Sequence, residues 1–151
     1  MPSIDLERMK AALTRGQQPY TVWSLVGVPL PLVETLSERL YKAAIIAYNL
    51  ACAIGLSPGV VLEKLVYSLA LSEGIETEDR ITNHDHAYTL AQLSIHLATA
   101  LQAASYSAMG FATDEILREE LDKTITLVSK LEAEQQEIIL MIVDKIFRKK
   151  K

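Results

Sequence analysis

The sequence predicts an all-α fold: one domain holding an irregular bundle of about five helices, four of them long. Three observations carry that reading. Apolar residues recur at helical spacing through most of the chain. The few Gly and Pro residues fall between these runs, where helices stop and start. Only Thr21–Val26 has the composition of a strand, and one strand cannot make a sheet alone.

The chain divides into an N-terminal helix and extended arm over residues 1–31, a helical bundle over 32–147 and a basic tail over 148–151. Ser3 is placed to cap a first helix over Ile4–Thr14, with Asp5 and Glu7 in its first turn and Gly16 beyond its end. Its stripe of Leu6, Met9 and Leu13 is narrow, as on a surface helix. Pro19, Pro29 and Pro31 then make Gln17–Pro31 irregular or extended. The second helix runs from Leu32 to Ile54, with Pro31 before it and Gly55 as terminator. Glu34, Glu38, Arg39 and Lys42 give its first half a wet face. Ala43–Ile54 has no charge, which predicts burial on all sides and makes Cys52 a small buried hydrophobe.

Ser57 and Pro58 open a third helix that ends near Gly74, with Glu63 and Lys64 as its only charges. The fourth, capped by Thr82 or Asn83, reaches Met109 and stops at Gly110. Ala87–Thr113 contains no Asp, Glu, Lys or Arg, and Ala91, Ala98, Ala100, Ala103 and Ala104 keep the helix thin. The fifth begins after Thr113, with Asp114 and Glu115 in its first turn. Leu117, Leu121, Ile125, Val128, Leu131, Ile138, Ile142 and Ile146 recur at a mean spacing near 3.6, which predicts one continuous helix of about 33 to 35 residues.

Composition narrows the function. The 151 residues carry a net charge of −4, and the only basic run is Arg148–Lys151, which complements a helix C-terminus. A chain built to neutralise phosphates carries a basic stripe instead, so nucleic acid is not an expected partner. The stretch Ala87–Ala112 is long enough to span a bilayer, but Gln92, His96 and Gln102 lie within it, and Gly55–Gly59 interrupts Ala43–Leu62. Buried bundle helices account for both, and no membrane is expected. Cys52 is the only cysteine, so no intramolecular disulfide or thiol-based metal site can form, in keeping with a cytoplasmic protein.

Candidate chemistry concentrates in Glu73, Glu76, Glu78, Asp79, Arg80, His84, Asp85 and His86. Carboxylates and imidazoles are suitable ligands for divalent metals. His84 and His86, two apart at a helix start, point to different sides, and His96 lies roughly 15 Å further along the axis. No metal site or cofactor is therefore predicted. The dipeptide His84-Asp85 is shared with metal-dependent HD phosphohydrolases, which need an upstream histidine; none precedes His84. The run Arg80-Ile-Thr-Asn-His-Asp-His86 resembles the Arg-x(4–6)-His spacing of HEPN-type ribonucleases, all-α dimers of about this size. Ile81 stands where that family usually carries Asn, Asp or His. The resemblance implies a metal-independent ribonuclease in which Arg80 and His86 handle the phosphodiester. The simpler reading of the segment is a solvated loop whose Asp85 favours a helix N-terminus.

Leu50-Ala51, Ile54-Gly55-Leu56 and Val61 also sit at helix-turn-helix spacings. The second helix would then present Ser57, Pro58, Gly59, Val60, Leu62 and Glu63, which include no Arg, Asn or Gln to read base edges. His96 on an apolar helix is best read as a satisfied core histidine. The sequence-level expectation is thus a non-catalytic helical protein that binds another protein chain, beginning with itself as a homodimer or higher oligomer. Two counts favour self-association: a fifth helix of roughly 50 Å would overhang a domain of about 38 Å, and one bundle cannot enclose three helices that lack a polar face. The alternative is the HEPN-like ribonuclease.

Overall fold

A computed structural model describes residues 30–75 and 85–147 of the chain. The expected N-terminal helix, the Thr21–Val26 strand, the Thr82 and Asn83 caps and the basic tail lie outside them. Among the described residues there are five helices and no strand, as the sequence predicts: α1 (Leu30–Ile54), α2 (Pro58–Ser72), α3 (His86–Ala108), α4 (Asp114–Val128) and α5 (Ala133–Phe147). α3 is the central element and packs against α1, α2 and α4. α5 lies against α1 and, more lightly, α4.

The helix ends follow the sequence signals closely. α1 begins two residues earlier than expected, so Pro31 falls in its first turn, where its missing N–H has no intrahelical partner to lose. α1 ends at Gly55, whose φ of +75° is a conformation that a Cβ disfavours. The amide of Leu56 then reaches back to the Ala51 carbonyl at 2.9 Å, which closes a Schellman cap. Ile75 to Ala70 (2.9 Å) and Phe111 to Tyr106 (3.0 Å) close α2 and α3 in the same way. Ser57 caps α2, accepting from the Val60 amide, with Pro58 at its first position. For α3 the expected cap is corrected. Asp85 takes that place, and its carboxylate accepts the Tyr88 N–H at 3.1 Å.

The largest correction concerns the fifth predicted helix. It is two helices of 15 residues, separated at Ser129–Glu132. The break is built from side chains that satisfy the freed backbone groups. Gln135 Oε1 accepts the Glu132 amide at 3.0 Å, the reciprocal half of a capping box. Gln136 Nε2 donates to the Leu131 carbonyl at 2.7 Å and the Ser129 carbonyl at 3.3 Å. Each half is about 22 Å long and fits within the domain, so the overhang argument for self-association falls.

One core holds the helices together. Leu40, Leu50, Leu62, Leu65, Leu69, Leu90, Leu93 and Leu97 are its largest wholly enclosed leucines, and Leu50 and Leu97 lie where the sequence places the core. Ala43, Ala47 and Ala51 on α1 are fully buried, as are Ala91 and Ala100 on α3, which lets the helices approach closely. Burial on all sides, however, is not observed for the apolar stretches. Cys52 and Ala53 are exposed at the end of α1, as are Gln102, Ser105, Tyr106 and Ala108 at the end of α3. A single chain therefore encloses the middle of α1, α2 and α3 and leaves their ends outside. The supposed excess of helices without a polar face is resolved within one bundle. Lys64, expected as a polar exception on α2, is itself buried at 9% exposure.

Candidate functional site

Three arrangements carry polar or exposed apolar side chains that go beyond helix formation. The first grows from the start of α3, where the sequence concentrates its candidate residues. Because Asp85 is the N-cap, its carboxylate is fixed beside the first amides of the helix, and Lys64 Nζ approaches its Oδ1 to 2.8 Å from α2. Partial burial works against the ionised form. The Lys64 ammonium and the Tyr88 and Ala87 amides outweigh it and hold the carboxyl below its usual range. Asp85 thus fastens the start of α3 to α2. At the C-terminal end of α2, Glu73 lies 3.8 Å from the guanidinium of Arg39 on α1.

His86, in the first turn of α3, has Nε2 3.7 Å from Glu132 Oε1 at the N-cap of α5. Arg80, the other residue of the HEPN-like pair, lies outside the described residues, with Glu76, Glu78, Asp79 and His84. The described part of the cluster consists of a helix cap and inter-helix ion pairs.

The second arrangement joins α3 to α4. His96 is a quarter exposed and Glu120 is mostly buried, and Nδ1 of the ring stands 2.6 Å from Glu120 Oε2. An ionised carboxylate only accepts, so Nδ1 carries the proton, and in the neutral ring the lone pair is left on Nε2. Lys123 stands 3.6 Å from the other Glu120 oxygen. His96 is therefore satisfied, as its sequence context predicts, but by a carboxylate at the edge of the core. This pair escapes sequence reading because its members are 24 residues apart. No group of three or more His, Cys, Asp or Glu side chains that could hold a metal ion occurs among the described residues. Cys52, expected inside, is exposed, and desolvation pushes its thiol above the ordinary value, away from the nucleophilic thiolate.

The third arrangement is apolar. Ten large hydrophobic side chains are exposed among the described residues, and eight of them lie at or beyond Tyr106. Tyr106 and Phe111 meet edge-to-face with ring centroids 5.8 Å apart. That contact is the hydrophobic clasp of the Schellman cap, which explains their pairing but not their exposure. Met109 beside them is 64% exposed. Ile116 and Ile125 on α4, and Leu140, Met141 and Ile146 on α5, continue the series. Burial shows the same asymmetry. α2 buries nine residues and α3 ten, whereas α4 buries only Thr124 and Val128, and α5 only Ile139 and Val143.

The helix-turn-helix reading loses one of its six recognition positions, because Leu62 is fully buried. No described helix is long and apolar enough to cross a membrane. No family model, curated protein or solved structure matches the chain.

Proposed function

We propose that this chain is a non-catalytic helical interaction protein that self-associates through α4 and α5. The observation that carries the reading is their uneven burial. Two helices of 15 residues each bury two side chains, while Ile116, Ile125, Leu140 and Met141 stand exposed on them. Exposed large apolar side chains on two lightly buried helices are the feature that points to an interface, although Ile116 and Ile125, nine residues apart, lie on opposite sides of α4. A two-fold pairing is the commonest way for a chain to cover such a surface with its own copy. Stable pairs of this sort bury about 800 Å² per partner. The single cysteine supports a cytoplasmic setting for this role.

The test is a set of charge insertions. Ile125→Glu and Met141→Glu place a carboxylate on the exposed faces of α4 and α5, where an isolated domain tolerates it. Circular dichroism should be unchanged, and sedimentation velocity should show the wild-type assembly lost in both variants. An assembly that survives both substitutions overturns the assignment of this surface. A different protein as the occupant would show as a wild-type monomer that binds that protein and loses it in the same variants, which replaces self-association.

A further inference from the structure

We draw no further inference here: the strongest candidate, the His96–Glu120 side-chain pair between α3 and α4, belongs to the site already described, and no third His, Cys, Asp or Glu joins it among the described residues to hold a ligand.

Discussion

Removing Glu120 tests how α4 is held to the bundle. α4 fully buries only Thr124 and Val128, with Leu121 and Leu127 partly buried against the core, and the Glu120–His96 pair adds a polar contact to that packing. Glu120 accepts from His96 Nδ1 at 2.6 Å and is 14% exposed, against 27% for the histidine. A hydrogen bond to a charged group contributes about 1.5–3 kcal/mol when buried. Partial exposure of the ring brings the expectation to about 1–2 kcal/mol. Glu120→Ala also removes the partner of Lys123, but that ion pair is exposed on the lysine side and adds little. For a domain of this size the loss should lower the Tm by roughly 3–6 °C. The assay is a double-mutant cycle over Glu120→Ala and His96→Ala, followed by thermal or urea melting, which isolates the pair from the packing each side chain makes alone. A coupling energy of about 1 kcal/mol is expected. Additive single effects, with coupling below about 0.3 kcal/mol, would refute the claim that this pair fastens α4 to α3.

Three further outcomes follow from the same structure. Leu50→Ala and Leu97→Ala empty space at wholly buried positions and should each cost about 2–5 kcal/mol; unchanged melting of both would mean that the core is misplaced. Asp85→Asn keeps a cap but removes the charge facing Lys64. Because the folded-state carboxyl is held below its usual range, its contribution is complete above that range and is lost as pH falls through the depressed value. The Tm gap between wild type and Asp85→Asn should therefore be widest above the ordinary aspartate range and narrow as the pH falls below it, and a gap that grows in acid would contradict the assignment. Labelled single-stranded RNA should stay intact with the protein in EDTA, whereas cleavage abolished by both Arg80→Ala and His86→Ala would establish the ribonuclease reading in place of the interaction protein.

What the sequence made legible, and what it did not, follows from the range of each interaction. Gly55, Gly74 and Gly110 mark helix ends by a local backbone requirement, and each stands where α1, α2 and α3 stop. Ser57 and Pro58 act within a single turn and place the start of α2. The break between α4 and α5 was obscured because Val128 and Leu131 keep helical spacing up to it and Ile138 resumes in phase. A mean period cannot register a short linker that preserves the phase. Two local signs were present: no large apolar residue between Leu131 and Ile138, and Glu132 followed three residues later by Gln135. The start of α3 was placed too early because Thr82, Asn83 and Asp85 are all competent caps; Lys64, on another helix, secures Asp85 in that role.

The His96–Glu120 pair depends on the antiparallel register of α3 and α4, which local pattern does not encode. The turn over Met109–Thr113 folds α4 back along α3 and brings the two residues, 24 apart in sequence, within hydrogen-bond distance. Exposure of Cys52 was hidden for a related reason. An uncharged helix end reads as buried unless the neighbouring helices are known to stop short of it.

Self-association is the claim on which the functional reading depends, and the mass of the wild-type protein in solution tests it most directly. Light scattering behind a sizing column, across a dilution series at micromolar concentration, should report at least twice the chain mass of 16.7 kDa. A soluble species that stays at the mass of one chain throughout the series would contradict it, and the exposed surface of α4 and α5 would then need a different occupant.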